Sequence, residues 1–421
     1  MNQTLNLVFD VSNMMFRSLF TVRSFATKNT KRFSKQEDIS NFIIKLCRDI
    51  SFIIRTYGPN ARVLFACDAR DPWRQKLAEE IPMGYKGTRD RQDDIDWDNI
   101  FSAVNDLKNI LRQKGFPVLE VANTEADDIM ALLKEKLYYN TDNNSLIFVT
   151  SDEDIRQLID YNKDTKQFVV CLNPISKRND ISGSKIFYIN QDIEDYELTN
   201  DSKSTQDSVI DLFNPDSFIS SSSSLLNDLM SINRTVYGVV DPTDIVLRKI
   251  FCGDDGDNIP ALYTYYTKND KLKRITNSVY KKIKEDLSIE CTADLNKYQD
   301  SENLELTALD ESVKERMKLK ELDYVPSTFV KRQRRLVELS PKLFPDYVLS
   351  GFDNLYNIVS DKFDSEYKIA RKSNLRYEDL LEGSKWLSYT TGTPDNSVLS
   401  DMNNYFKSGN LSDLFKSDTL F

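Results

Sequence analysis

Short apolar runs alternate with longer amphipathic stretches over the first 173 residues of the chain. The runs have the length of buried strands, and the amphipathic stretches have helical spacing. This alternation indicates an α/β fold with a doubly wound, mostly parallel sheet. The predicted strands are 5–10, 62–67, 117–121, 146–150 and 167–172, and the predicted helices are 38–57, 98–114, 125–139 and one from Glu153.

The remaining stretches are less regular. Residues 69–97 are charged and show no clean periodicity, so we expect a mobile segment there. Residues 174–240 are rich in Ser, Asp and Asn, which is typical of a polar insertion. Helical patterns, including a basic helix over 271–284, occupy much of the chain from residue 241 onwards. The pattern predicts three parts, 1–173, 174–240 and 241–421.

Composition limits the classes of protein that fit. The chain has 421 residues, of which 40% are hydrophobic, and this is enough for a large core. No run of about 18 apolar residues and no signal-like start occurs, so we expect neither a membrane span nor secretion. Five cysteines without a CxxC pair indicate a reduced, cytoplasmic compartment.

The net charge of −10 at first argues against a nucleic-acid partner, because phosphate-binding domains are usually basic. The basic residues are clustered, however, in 70–91, 271–284 and 331–335. Local positive patches can bind phosphates on an acidic protein. The residues predicted to contact DNA are Arg70, Arg74, Lys271, Lys273, Arg274, Lys281 and Lys282.

Acidic residues follow the predicted strands and recur near residue 255. Because the carboxyl ends of parallel strands meet at one edge of a sheet, we expect these carboxylates to lie together. The chain contains no histidine, which excludes Ser-His-Asp and Cys-His sites. A carboxylate cage favours hard ions, here two Mg²⁺ with Mn²⁺ as a substitute. The nine candidate ligands are Asp10, Asp68, Glu125, Asp127, Asp128, Asp152, Asp154, Asp254 and Asp257.

Three of these carboxylates start one predicted helix, after Thr124 as a good N-cap. Glu125 and Asp128 are three residues apart and share a helix face, whereas Asp127 is turned by about 100° from its neighbour. Asp128 is therefore the expected direct ligand, and Asp127 is expected to act through water. An acidic first turn taken alone caps a helix more often than it binds a metal. Its occurrence together with the other strand-end carboxylates favours the metal site.

Five motifs occur in a fixed order: Phe9-Asp10, Cys67-Asp68, Glu125-Ala126-Asp127-Asp128, and the segments 150–158 and 253–260. This ordered set resembles the 5′-nuclease (flap endonuclease) superfamily, and within it the ribonuclease H branch of T-even phages. The resemblance covers about residues 5–260 and extends only loosely over the C-terminal third. One departure is the segment 261–266, which has no glycine where many members have a glycine-rich hairpin that binds K⁺.

The resemblance implies a PIN-like domain followed by a helix-three-turn-helix DNA-binding region. It implies a metal-dependent flap endonuclease and 5′-to-3′ exonuclease that acts on branched or nicked DNA and on RNA–DNA hybrids and removes RNA primers in replication. Lys86 and Arg89 would be its catalytic residues near the scissile phosphate. The implied first-metal ligands are Asp10, Asp68, Asp128 and Asp152, with Glu125 and Asp127 nearby, and the implied second-metal ligands are Asp154, Asp254 and Asp257.

Two other functions fit part of the sequence. A PIN-type endoribonuclease shares the acidic sheet but needs neither the segment 253–260 nor the basic helix after it. A catalytically silent DNA-binding accessory protein of replication would not need Asp10, Asp68 and Asp152, which are all present.

The tail 408–421 carries two Leu-Phe pairs. It is interpreted either as a peptide that docks on a sliding clamp or as a terminal helix that folds back on the body. A single-strand-binding protein is a further candidate partner. The resemblance also implies a monomer that acts in the cytoplasm of an infected bacterial host.

Overall fold

The structure is a computed structural model. It describes residues 4–26, 33, 36–78, 84–87, 93–141, 143–178, 181–189, 236–266, 272–298, 323–324, 327–360 and 374–388. Four predictions fall outside these residues: those for Arg89, for Lys271, for most of the polar insertion and for the tail 408–421.

The strands of the described residues form one large and one small sheet. They are β1 Thr4–Asp10, β2 Arg62–Ala66, β3 Val118–Leu119, β4 Asn144–Val149, β5 Asp160–Tyr161, β6 Phe168–Arg178, β7 Ile181–Ile189, β8 Val236–Val240, β9 Tyr263–Tyr266, β10 Leu272–Arg274 and β11 Asp323–Tyr324.

The α-helices of the described residues flank the large sheet or follow it in the chain. They are α1 Val11–Ala26, α2 Gln36–Tyr57, α3 Trp73–Leu77, α4 Trp97–Gln113, α5 Ala126–Leu133, α6 Pro242–Cys252, α7 Asn277–Asp286, α8 Ser327–Val337, α9 Asp346–Ser360, α10 Tyr377–Leu381 and α11 Lys385–Ser388. A π-helical stretch, Lys134–Tyr139, continues α5, and 3₁₀-helices span Asp154–Leu158, Thr292–Tyr298 and Pro341–Leu343. Among the described residues, no helix combines the length and the apolar character that a membrane crossing requires.

The large sheet has the strand order β3-β2-β1-β4-β6-β7-β8, with β5 on β6. The strands from β3 to β6 in this order pair in parallel, and β7 runs antiparallel to β6. The chain builds outwards from β1 in one direction and from β4 in the other, so a crevice opens between their carboxyl ends. The predicted α/β fold with a doubly wound, mostly parallel sheet is confirmed.

Three local predictions are wrong. The helix expected from Glu153 is only a short 3₁₀-helix. It ends there because the following residues form strand β5, which pairs with β6. The basic helix begins at Asn277, where the Thr276 side chain caps it, and Lys273 and Arg274 lie on strand β10 instead. In the predicted mobile segment, Trp73 and Arg74 are buried, so this part packs into the protein.

The large sheet extends beyond residue 173, where the sequence places the start of an insertion. Strand β6 continues to Arg178, β7 returns beside it, and β8 pairs in parallel with β7. The backbone of residues 174–178 and 181–189 therefore belongs to the sheet, and residues 190–235 lie outside the described part.

The buried side chains of the described residues form two hydrophobic cores, and the C-terminal helices divide between them. The first core fills the space between the large sheet, α1, α2, α4 and α5, and it also contains Val348, Phe352, Leu380 and Leu381 from the C-terminal part. The second core joins α6, α7 and α8 and takes in Ala78 and Tyr85. The C-terminal helices therefore do not all pack in one core, because α9 packs on α5, and α10 packs on α2 and α4.

Candidate metal centre

Three strands of the large sheet deliver carboxylates to the crevice. Asp10 ends β1, Asp68 follows β2, and Asp152 follows β4. Asp10 is only 4% exposed, and its carboxylate accepts hydrogen bonds from Thr150 Oγ1 at 2.9 Å and from the Asn13 N–H at 2.9 Å. Burial, with the neighbouring charges of Asp68 and Asp152, raises the pKa of Asp10 to about 7. The three carboxylates therefore share one electrostatic environment.

The loops that carry these groups are tied together by hydrogen bonds. Asn13 Oδ1 accepts from both the N–H and the hydroxyl of Ser151, at 2.9 Å each. Asp68 Oδ1 accepts from the N–H of Ala126 at 2.6 Å, which fixes it at the start of α5. Three crevice loops and one helix end thus have defined relative positions.

The first turn of α5 contributes Asp127 to this group. Burial and the charges of Asp152 and Asp10 raise the pKa of Asp127 well above its ordinary value. Asp127 is half-buried, and its charge interacts with those of Asp152 and Asp10.

The neighbouring Asp128 points elsewhere, and its expected role as direct ligand is wrong. It is fully buried, accepts from Trp73 Nε1 at 3.0 Å and pairs with Arg74 at 2.6 Å. It also accepts from the N–H of Glu125 at 3.1 Å, as the third helical residue of a capping box. The capping geometry turns this carboxylate back against the helix end.

The carboxylate of Glu125 accepts hydrogen bonds from three side chains. Lys86 Nζ lies 2.6 Å from Oε1, and both the Tyr85 hydroxyl and Arg74 Nη1 lie 3.1 Å from Oε2. Burial alone would raise the pKa of Glu125, but the charges of Lys86 and Arg74 lower it to about 2. Glu125 is therefore ionised and orients Lys86 beside the crevice.

A second group of carboxylates consists of Asp154, Asp254 and Asp257. Each carboxylate offers one oxygen that lies within 4.8 Å of the other two. Among the described residues, the group of acidic side chains found this close together is this one. Lys249, on α6, contacts both Asp154 and Asp254. Burial raises the pKa of Asp254, but the Lys249 ammonium outweighs this and lowers it below its ordinary range.

The loop that carries Asp254 and Asp257 requires its glycine. Gly253 has φ +76°, and a Cβ atom there would lie 2.6 Å from the Ala261 nitrogen and the Ile259 oxygen. Asp254 and Ile259 exchange two backbone hydrogen bonds of 2.8 Å. The tight reversal therefore holds both carboxylates on one side of the loop.

The segment 84–87 lies between the two carboxylate groups. The Lys86 N–H donates to the Asp257 carbonyl at 2.9 Å, and the Asn258 side chain donates to the Gly84 carbonyl at 2.8 Å. The Tyr85 hydroxyl lies 3.3 Å from the Asp257 carboxylate. Lys86 is thus fixed through both its backbone and its side chain.

The residues predicted to contact DNA fall into two classes. Arg70, Lys273, Lys281 and Lys282 are exposed, and Arg274 pairs with Asp255 at 2.6 Å. Arg74 is 1% exposed and lies 4.5 Å from the Trp73 ring centroid, so it is unable to reach a phosphate. Its predicted DNA contact is wrong, because it neutralises Glu125 and Asp128 inside the protein.

Sequence reasoning missed four residues that shape the centre: Asn13, Trp73, Tyr85 and Lys249. Lys249 could have been found from its position five residues before Asp254 at the end of a helix, and Tyr85 from its place beside Lys86. Asn13 and Trp73 carry no comparable signal, because the partners of their side chains are distant in the sequence.

The donor set fits divalent cations. Both groups offer carboxylate oxygens, which are the ligands of hard cations such as Mg²⁺ and Mn²⁺. In the first group, burial and mutual repulsion raise the pKa of Asp10 and of Asp127. A bound cation would relieve that repulsion.

Solved structures with a similar arrangement of the chain come from bacteriophage T5. A T5 protein crystallised with metal ions is 15% identical, with a TM-score of 0.48, and covers 86% of this chain and 100% of its own. A T5 5′-exonuclease with bound zinc is 15% identical, with a TM-score of 0.46, and the shares covered are 84% and 99%. A T5 flap endonuclease variant in complex with DNA and metal ions is 15% identical, with a TM-score of 0.46 and shares of 85% and 99%. At this level of similarity no residue role is transferred.

Comparison of the sequence with curated proteins and with family models gives one match. No curated protein matches the chain. A family model does match, over residues 5–188, and it describes the 5′-3′ exonuclease N-terminal, resolvase-like domain. These residues include β1 to β6 and the crevice carboxylates of the first group. Residues 5–188, less than half of the chain, are therefore similar to this exonuclease domain.

Proposed function

We propose that the chain is a Mg²⁺-dependent, structure-specific 5′ nuclease that acts on branched or nicked DNA and on RNA–DNA hybrids, including RNA primers in replication. One observation carries the proposal: the carboxylates that follow β1, β2 and β4 lie near enough to raise the pKa of Asp10, and the same protein has a close second carboxylate group and a fixed Lys86. This arrangement has both the negative charge that binds cations and a positive charge placed for a phosphate.

Two groups of residues would hold the cations. Asp10, Asp68, Asp127 and Asp152 form the first group, and Asp154, Asp254 and Asp257 form the second. Divalent cations bound there would polarise the phosphodiester and lower the pKa of an attacking water. Mn²⁺ is the expected substitute for Mg²⁺.

The protein's own side chains supply orientation and charge. Lys86 is half-buried and ionised beside Glu125, so its ammonium can stabilise negative charge on a phosphate oxygen without rearrangement. Thr150 and Asn13 hold the Asp10 carboxylate in one orientation through hydrogen bonds. Arg89, which lies outside the described residues, stays a proposed second cation near the phosphate.

DNA would dock on the exposed basic residues beyond the crevice. Lys281 and Lys282 are exposed on α7, Lys273 is exposed on β10, and Arg70 is exposed beyond β2. Contacts of this kind supply affinity through phosphate charge and do not depend on base sequence.

The test is cleavage of 5′-labelled substrates by the full chain in Mg²⁺ and in EDTA. The substrates are a 5′-flap DNA, a nicked duplex, a primer RNA–DNA hybrid and single-stranded RNA. We expect cleavage at the flap junction and of the hybrid, dependent on Mg²⁺. We expect Asp152→Asn to lower turnover by a factor on the order of 10³. Asp164→Asn, an exposed residue outside the site, is the matched control.

Two outcomes would overturn the proposal. Internal cleavage of single-stranded RNA without flap cleavage would indicate the PIN-type endoribonuclease. Flap binding without cleavage in Mg²⁺ would indicate the catalytically silent accessory protein.

A further inference from the structure

Lys249 holds an unusual place for a lysine. It lies on α6, its side chain is 13% exposed, and its ammonium contacts the carboxylates of Asp154 and Asp254 together. These two carboxylates are only 15% and 16% exposed. The ammonium therefore lies inside the second carboxylate group and not at its rim.

The space that the ammonium occupies is the space that a cation would take. Asp154, Asp254 and Asp257 bring one oxygen each to within 4.8 Å of the others, which suits a small divalent ion. An ammonium and a divalent ion repel each other at such distances, so they are unable to share the same carboxylate oxygens. Binding of the ion there requires the lysine to leave, and its four-carbon stem allows this.

Lys249 also joins two parts of the protein. Its neighbour Ile250 lies in the second core, whereas Ile155, next to Asp154, lies in the first core. The contact from Lys249 to Asp154 is therefore an electrostatic link between the two cores.

We propose that Lys249 is a resident counter-charge that competes with the second divalent cation for Asp154 and Asp254. The inference rests on the proposed function for the existence of the metal site. It has two consequences: the second site binds metal more weakly than its three carboxylates alone would, and the metal-free protein is stabilised by the lysine.

The experiment measures metal binding alone, without DNA. Mn²⁺ is titrated into the full chain, and free Mn²⁺ is followed by electron paramagnetic resonance. Lys249→Met removes the charge and keeps the stem, so we expect the weaker Mn²⁺ site to tighten by roughly tenfold or more, within the usual range of coupling between sites. Lys249→Arg keeps the positive charge, and its Mn²⁺ affinity should stay much closer to wild type.

The matched control is Lys134→Met. Lys134 is 10% exposed and pairs with Asp160 at 2.8 Å, so it resembles Lys249 in burial and pairing but lies outside both carboxylate groups. We expect this variant to bind Mn²⁺ as the wild type does.

Thermal unfolding provides a second readout that does not depend on the titration. In EDTA, Lys249→Met should melt below the wild type, because three close carboxylates lose their counter-charge. Added Mn²⁺ should raise the melting temperature of Lys249→Met more than that of the wild type. If Lys249→Met does not fold in EDTA, Lys249→Gln is used in the same two measurements.

Unchanged or weaker Mn²⁺ binding by the folded charge-removal variant overturns the inference. If the wild type binds two Mn²⁺ ions and the variant matches it, only this inference falls. If the wild type binds no Mn²⁺ at all, the proposed metal-dependent function falls with it.

Discussion

Arg74 Nη1 lies 2.6 Å from Asp128 Oδ1, and neither side chain is accessible to solvent beyond 1%. The guanidinium lies against the rings of Trp73 and Phe344, whose centroids are 4.5 and 5.8 Å away. This contact fixes α3 against the first turn of α5, the turn that also carries Asp127. The buried pair thereby sets the position of a crevice carboxylate without facing the crevice itself.

Loss of Arg74 should destabilise the protein strongly. Arg74→Met leaves Asp128 and Glu125 buried with less compensating charge, so we expect the free energy of unfolding to fall by about 3–5 kcal/mol in urea denaturation. Arg112→Met is the control, because its pair with Glu120 at 3.1 Å is 42% and 33% exposed. That change should cost less than about 1 kcal/mol. Similar losses in the two variants would contradict the buried-pair interpretation.

The two neighbouring aspartates of α5 should give opposite results. Asp127→Asn should abolish most Mg²⁺-dependent cleavage and leave the melting temperature close to the wild type. Asp128→Asn should lower the melting temperature, because it weakens the bonds to Arg74, to Trp73 and to the helix end. Both variants are compared by melting temperature and by single-turnover cleavage of one flap substrate. The reverse pattern would restore Asp128 as the direct ligand.

Stability of the metal-free protein should depend on pH through Asp10. Its pKa is raised from 3.8 to about 7 by burial and by Asp68 and Asp152, so the folded state binds more protons than the unfolded state between these values. The contribution of Asp10 is therefore fully present below its unfolded pKa and is lost as the pH rises towards 7. Melting temperatures in EDTA from pH 4 to pH 8 should show this loss in the wild type and a flatter profile in Asp10→Asn. If the melting temperature of Asp10→Asn fell more steeply with rising pH than that of the wild type, this account would be excluded.

Metal binding should have the opposite pH dependence. Because Asp10 must be ionised to bind a cation, stabilisation by Mn²⁺ should increase as the pH rises through about 7. The measurement is the shift in melting temperature at a fixed Mn²⁺ concentration at each pH. A constant shift across the range would remove Asp10 from the ligand set.

Lys86 should matter for the chemical step. Lys86→Ala should slow single-turnover cleavage by a factor on the order of 10² to 10³, the usual effect of losing one fixed charge at the reacting centre. Lys114→Ala, which loses only a pair with the 82% exposed Glu382 at 3.6 Å, is the control. An equal rate in the two variants would place Lys86 outside the reaction.

The exposed lysines of α7 should act on DNA affinity. Replacing Lys281 and Lys282 together by alanine should raise the dissociation constant for flap DNA. It should also reduce the slope of the logarithm of the binding constant against the logarithm of the salt concentration, by up to about 0.9 for each lost phosphate contact. Fluorescence anisotropy between low and high salt measures both effects. An unchanged salt dependence would show that DNA docks elsewhere.

The sheet and the crevice carboxylates were predictable because their signals are local. A fully buried parallel strand needs a continuous apolar run, as in Leu7-Val8-Phe9 and 146–149, and the residue after such a run must lie at the strand's carboxyl end. The acidic residues at these places can therefore be assigned to one edge of the sheet from the sequence alone.

The orientation of Asp128 was not predictable, because it depends on a partner 54 residues away. An arginine in a charged stretch is usually exposed, and only contact with Trp73 and the distant Phe344 buries Arg74. The division of the C-terminal helices between two cores was missed for a related reason. An amphipathic pattern shows that a helix has an apolar face, but it does not show which surface covers that face.

The residues of the first core come from both ends of the described chain, so the ribosome makes them at different times. The strands of this core are translated early. Val348, Phe352, Leu380 and Leu381, which cover α2, α4 and α5, leave the ribosome only after the whole second core. The nascent chain therefore carries an uncovered apolar surface until synthesis of the described residues is nearly complete. A premature stop codon after α8 would leave every crevice carboxylate in the product, and we expect that product to unfold more easily because part of its first core stays uncovered.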